Sequence, residues 1–230
     1  MNIIVNGATR GIGRETALLL AEKGNSVIIT GRNEKALAEL ASLPVAGKLI
    51  PCRLDISDFG RYEKMFMEII SSVFESVDIL INCAAYLVVR DFSSFPPEEA
   101  VKTMETNFFG VASMIRSIIP SMKKGSHIIN ISSMGGFQGS VKYRGLSYYS
   151  ASKAALSCLS ECLAAELLEE GIAVNCLALG SVQTEMFEEA FPGLRAPVRA
   201  GEMGEFIADF AIRGGKLFNG KVIPVAFSNP

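Results

Sequence analysis

Tryptophan is absent from the 230 residues, and histidine occurs once, at His127. A single histidine argues against metal centres built on several imidazoles. It also leaves a Ser-His-Asp triad only His127, which leads into an apolar stretch, to be built on. Cysteine is sparse: Cys52, Cys83, Cys158, Cys162 and Cys176 make an odd number without C-x-x-C spacing. That argues against a disulfide framework or a zinc ribbon and for reduced thiols in a cytoplasmic protein. Cys158 and Cys162 have helical spacing and are expected to be small core fillers. No apolar run approaches the ~20 residues of a membrane span. No lysine or arginine precedes the first apolar run, so that run is expected to be a strand and not a signal peptide. The formal charge of −2 offers no basic field for nucleic acid or an anionic membrane. Linkers, repeats and low-complexity tracts are missing as well.

What is present is a globular composition, 49% apolar and 20% charged, in a chain long enough for one sizeable core. Short apolar runs alternate with amphipathic ones. Strands are expected at 2–6, 26–30, 48–52, 77–81, 126–132, 171–177 and 221–225, and helices after Gly13 to a stop at Gly24, at 34–42, 59–74, 96–119 and 202–212, with another carrying Tyr149. Such alternation implies an α/β fold, a Rossmann-like doubly wound parallel sheet with helices on both faces, in a single domain over 1–230.

The first strand runs into Gly7-Ala8-Thr9-Arg10-Gly11-Ile12-Gly13 and then a helical pattern. A glycine-rich turn opening a helix is an anion site: free backbone N–H groups and the helix dipole both face the loop, and glycine lets a pyrophosphate approach closely. The second strand ends in Gly31-Arg32-Asn33 with no carboxylate before Glu34. An acidic residue there would hold the ribose of NAD, whereas arginine accommodates the 2′-phosphate of NADP. Arg32, with Arg10 as a second candidate, therefore favours NADP(H) over NAD(H).

Tyr149 and Lys153 lie one helical turn apart on one face, in a helix that Ser147 can cap. The lysine charge is expected to lower the phenol pKa from about 10, making Tyr149 a general acid or base. A serine aimed at the same point would hold a substrate oxygen.

The glycine spacing G-x-x-x-G-x-G followed by Tyr-x-x-x-Lys resembles the classical short-chain dehydrogenase/reductase family, from the first strand to about residue 186. The resemblance implies catalytic roles for Asn107, Ser133, Tyr149 and Lys153. Ser133 is preferred over Ser132, and Asn107 would kink its helix and hold a water in a proton relay. It implies cofactor contacts from Gly7, Thr9, Arg10, Gly11, Ile12, Gly13, Arg32, Asp55, Ile56, Asn82, Ala84, Tyr149, Lys153, Gly180, Val182 and Thr184. Asp55 would meet the adenine amino group, and Asp58 reads equally as a helix N-cap. Three departures stand out. Cys83 and Ala85 replace residues of the family's Asn-Asn-Ala-Gly, Leu179 replaces a proline, and the Asp-Gly-Gly ending is absent from Ala226-Phe227-Ser228-Asn229-Pro230.

Extra residues at Val141–Gly145 are expected to enlarge a loop over the substrate. Residues 185–200 form a short cap with apolar contacts from Met186, Phe187, Phe191, Leu194 and Val198. The implied partner is a small-molecule carbonyl or alcohol: a 3-oxoacyl thioester, sugar, steroid-like ketone or small diketone. The assembly expected is a homodimer or homotetramer, with no metal. The alternative is an NADP(H)-binding sensor without turnover.

Overall fold

The structure, a computed structural model, describes residues 1–227; Ser228, Asn229 and Pro230 of the ending discussed above lie outside the described residues. Ile3, Ile4 and Val5 are successive residues and all fully buried, which requires a strand covered on both faces. Of the seven strands, β1 (Asn2–Asn6), β2 (Ser26–Gly31), β4 (Val77–Asn82), β5 (Met122–Ser133) and β6 (Ala173–Leu179) carry such buried runs, while β3 (Lys48–Arg53) and β9 (Val222–Val225) are edge strands with exposed positions. They form one parallel sheet in the order β3-β2-β1-β4-β5-β6-β9. The order reverses between β1 and β4, whose carboxyl ends flank the crevice where such sheets bind ligands.

Alternate strand residues point to opposite layers. Val5, Val27 and Ile29 pack against Ala17 and Leu20 of α1 (Gly11–Glu22), Leu37 of α2 (Glu34–Ala41) and Ile207 of α8 (Ala200–Arg213). Ile4, Ile28 and Leu80 pack against Phe66 of α3 (Glu63–Val73), Met114 of α5 (Gly110–Ile118) and Leu156 of α6 (Ser147–Glu166). The doubly wound parallel sheet expected from the alternating pattern is the fold observed.

Several boundaries differ from expectation. Helix α3 begins at Glu63 because Gly60, at φ +91°, turns the chain first. Asp58 therefore caps no helix, and pairs with Arg61 at 3.4 Å. The helix expected over 96–119 is α4 (Pro97–Met104), a single π-helical turn (Glu105–Phe109) and α5. Strand β5 starts earlier, at Met122, where polar Lys123 and Lys124 hide it from a hydrophobic pattern; Ser126 there donates to Val77 O at 2.8 Å. Gly171, at φ +68°, is a turn residue, so β6 runs from Ala173 to Leu179. Ser147 is the first helical residue of α6 and not its cap, the preceding residue being Leu146.

Cys158 and Cys162 are exposed, contrary to the expectation of core fillers. The inner face of α6 is Ser152, Lys153, Leu156, Ser157, Ser160 and Ala164. Serines occupy core positions there because their hydroxyls find carbonyl partners, such as Leu156 O for Ser160 at 2.7 Å.

A buried polar row crosses the sheet near its carboxyl edge. Thr30 donates to Asn6 at 2.9 Å, Asn6 to Asn82 at 3.5 Å, Asn82 to Asn130 at 2.9 Å, and Asn130 to Ser160 at 2.9 Å. The asparagines stand directly opposite one another in register.

Candidate active site

The glycine turn between β1 and α1 is shaped by contacts that side chains would forbid. Gly7 has φ +82°, and a Cβ on it would lie 2.5 Å from Ala84 N; a Cβ on Gly13 would lie 2.2 Å from Gly7 O. Arg10 precedes α1 in an extended conformation. No side chain caps the helix and no acidic residue stands in its first turn. The first-turn N–H groups are thus unspent and the dipole uncompensated, a cradle suited to a pyrophosphate.

That cradle is one end of a cavity of about 620 Å³. Gly7, Thr9, Arg10, Gly11, Ile12 and Gly13 line it with Arg32, Asp55 and Ile56; Ala84, Ser133, Tyr149, Lys153, Gly180, Val182 and Thr184 line the rest. Arg32 is exposed at the end of β2. Asp55 turns its carboxylate to Ser57, accepting from the backbone N at 3.0 Å and from Oγ at 2.7 Å.

Two expected site residues stand back from this wall. Asn82 belongs to the buried polar row. Asn107 lies in the π turn and clamps the loop after β4: Oδ1 accepts from Tyr86 N at 2.7 Å and Nδ2 donates to Tyr86 O at 2.9 Å. The same amide donates to Ser152 Oγ at 3.0 Å, and Ser152 donates to Tyr149 O at 2.7 Å. Asn107 thereby joins the Cys83–Ala85 loop to the helical turn that carries Tyr149.

Ser133, at the end of β5, accepts from Gly135 N at 3.2 Å and lines the cavity together with Tyr149. Ser132 donates to Lys153 O at 2.9 Å. Lys153 is 2% exposed; its Nζ donates to Ile131 O at 2.8 Å and stands 5.8 Å from the Tyr149 ring centroid. The expected lowering of the phenol is not what this environment gives. Burial pushes Tyr149 up to about 12, against the Ser133 hydrogen bond, which favours the phenolate. Burial also brings Lys153 down to about 8, and the nearby Cys176 and Cys83 thiols oppose that.

Met186, Phe187, Phe191 and Leu194 line the cavity as expected of the cap, the first two on α7 (Glu185–Ala190). Val198 does not, because it pairs with Val182 between β7 (Val182–Gln183) and β8 (Val198–Arg199). Apolar lining residues the motifs missed include Leu87, Met134, Leu146 and Phe227. Tyr143 reaches the cavity from the enlarged loop. No pattern announces these, since they are single apolar residues in loops.

His127 is buried within β5 between Ala211 O at Nδ1, 3.1 Å, and the Asn175 amide at Nε2, 3.0 Å, and burial pushes it down to about 4. Among the described residues, no cluster of three or more His, Cys, Asp or Glu side chains is placed to hold a metal ion, and no helix is long and apolar enough to cross a membrane.

Comparison with known proteins adds to this geometry. Residues 1–194 match the short chain dehydrogenase family. An uncharacterized oxidoreductase of Bacillus subtilis, YhxC, is 32% identical over 192 residues, covering 82% of this chain and 66% of that protein. A fatty acyl-CoA reductase of Acinetobacter baylyi is 33% identical over 193 residues, covering 80% of this chain and 63% of its own length. The chain thus matches somewhat less than two thirds of the length of these relatives. The solved Pseudomonas aeruginosa RhlG/NADP active-site complex superposes with a TM-score of 0.87 at 27% identity, covering 98% of this chain and 94% of that one.

Proposed function

The chain belongs to the short-chain dehydrogenase family of oxidoreductases, and from that premise we propose that it uses NADP(H) to interconvert a carbonyl and an alcohol. The observation that carries the reading is a single cavity with a pyrophosphate cradle at one end and Ser133, Tyr149 and Lys153 farther along it. Preference for NADP(H) over NAD(H) is supported by Arg32 at the end of β2, the absence of a carboxylate there, and the NADP held by the RhlG structure.

When bound, the dinucleotide supplies the hydride that a carbonyl carbon accepts. Gly11, Ile12 and Gly13 would hold its pyrophosphate through their N–H groups, and Arg32 and Arg10 its 2′-phosphate. Tyr149, protonated near neutrality with its phenol at about 12, gives its proton to the carbonyl oxygen. Ser133 positions that oxygen beside the phenol. Lys153 is charged below about 8 and favours the phenolate that remains. Asn107 acts through the Tyr86 backbone and Ser152 to fix the tyrosine's turn.

The substrate body meets Leu87, Met134, Leu146, Phe187 and Phe191. This apolar wall, with the acyl-CoA reductase among the relatives, supports a 3-oxoacyl thioester or small ketone over a sugar. The reading treats 1–230 as one dinucleotide-binding domain with its cap at about 185–200. All five thiols are free, which suits a reducing cytoplasm. Exposed Phe92, Val101 and Phe109 support a homodimer or homotetramer.

The test is a parallel titration with NADPH and NADH, followed by turnover on a panel of ketones and 3-oxoacyl thioesters. NADPH should bind more tightly and be oxidised by an apolar carbonyl. Tyr149→Phe should lose at least about 100-fold in turnover, the usual scale of a general acid, while NADPH affinity is retained. Turnover that survives Tyr149→Phe would refute the assignment. Binding without turnover anywhere on the panel would favour a sensor.

A further inference from the structure

Arg10 lines the dinucleotide cavity, yet its guanidinium is gripped from the substrate cap. Nη1 meets Glu189 Oε1 at 2.5 Å and Nη2 meets Oε2 at 3.1 Å, a two-pronged pair between the glycine turn and the last turn of α7. The other end of α7 is tied to the same place. Thr184 Oγ1 accepts from Phe187 N at 3.2 Å to cap the helix, and the Thr184 methyl carbon lies 3.3 Å from where a Cβ on Gly11 would stand. Both ends of this short cap helix therefore rest on the residues that open α1.

The planar fork that a carboxylate takes with two parallel bonds is the one a phosphate takes. Arg10 cannot offer that edge to both anions, and Glu189 adds a like charge beside any phosphate that approaches. Arg10 and Glu189 side chains are 45% and 64% exposed, so the pair exchanges readily with another anion instead of being locked.

We propose that Glu189 is a specificity-determining residue that holds Arg10 on the substrate cap, so that the 2′-phosphate of NADPH must displace it and in doing so frees α7, whereas NADH leaves the cap latched. This rests on the reading that Arg10 helps to bind the 2′-phosphate.

The experiment measures NADPH and NADH dissociation constants for the intact protein, Glu189→Gln, Arg10→Ala and the double variant, at low salt. It also follows backbone hydrogen exchange of residues 185–190 with each nucleotide. Glu189→Gln should tighten NADPH about two- to fivefold, the scale of an exposed ion pair, and leave NADH unchanged. In the Arg10→Ala background the Glu189 substitution should have almost no further effect. Exchange across α7 should be slow with NADH and faster with NADPH or in Glu189→Gln. A Glu189→Gln effect equal for both nucleotides, or none with α7 exchange unaltered, would overturn the proposal even if NADPH is preferred. A protein that shows no preference for NADPH, but whose α7 loosens in Glu189→Gln, would keep the latch and overturn the cofactor reading.

Discussion

Lowering the pH from 7.5 to 5 should weaken the fold through one side chain, His127. The ring is 3% exposed, with no solvent to take up a new charge. Its two nitrogens are already committed: Nδ1–H donates to Ala211 O at 3.1 Å, and Nε2 accepts from Asn175 Nδ2 at 3.0 Å. Protonating Nε2 would set two donors against each other, adding to the desolvation penalty. The ring is accordingly pushed down from 6.5 to about 4. The unfolded chain then takes up the proton first as pH falls, so stability declines below pH 6.5 and levels off near pH 4. The full difference corresponds to about 3 kcal/mol, of which about 2 kcal/mol is lost by pH 5.

Urea unfolding at several pH values would measure this decline, and His127→Gln supplies the reference because glutamine does not titrate. Glu63, Asp91, Glu189 and Glu202 are all held below the usual carboxylate range by their partners. Their contributions are lost mainly below pH 4.5 and are common to both proteins. Because His127 is the only histidine, its imidazole proton resonance can be followed directly. A resonance that titrates near 6.5, or equal pH dependence in His127→Gln, would refute the reasoning.

Two further outcomes follow from the nucleotide end of the cavity. Gly13→Ala places a methyl 2.2 Å from Gly7 O; it should lower stability by about 1–3 kcal/mol and weaken NADPH binding, checked by urea unfolding and by titration. Unchanged values for both would mean that the turn is looser than described. Arg32→Ala should weaken NADPH by about tenfold or more, the worth of a hydrogen bond to a charged group, and leave NADH unaltered. Equal losses for the two nucleotides would remove Arg32 from the 2′-phosphate.

The sheet was legible because its central strands carry short apolar runs buried on both faces, and because a glycine turn after β1 has few physical explanations. Helical spacing put Tyr149 and Lys153 on one face of a helix, and it took the glycine turn and the family resemblance to single the pair out; both line the same cavity. The failures share a different cause. The core of α6 is built partly of serine, so a search for apolar positions chose Cys158 and Cys162, which face outward. The Tyr149 phenol follows its burial more than the neighbouring charge, and burial is a property of the whole site. Glu189 lies far from Arg10 in sequence, so no local motif could have joined them.

The buried row from Thr30 through Asn6, Asn82 and Asn130 to Ser160 has a consequence for redesign. Every parallel strand it crosses is pinned at one level, because a slip of one residue would turn an amide out of the row and an apolar side chain into it. The loops that carry Gly7 and Cys83 emerge just above that level, and β5 continues three residues beyond it to Ser133. New loops transplanted onto these strand ends would start from a fixed baseline. Substrate range could then be altered from above without re-aligning the platform beneath.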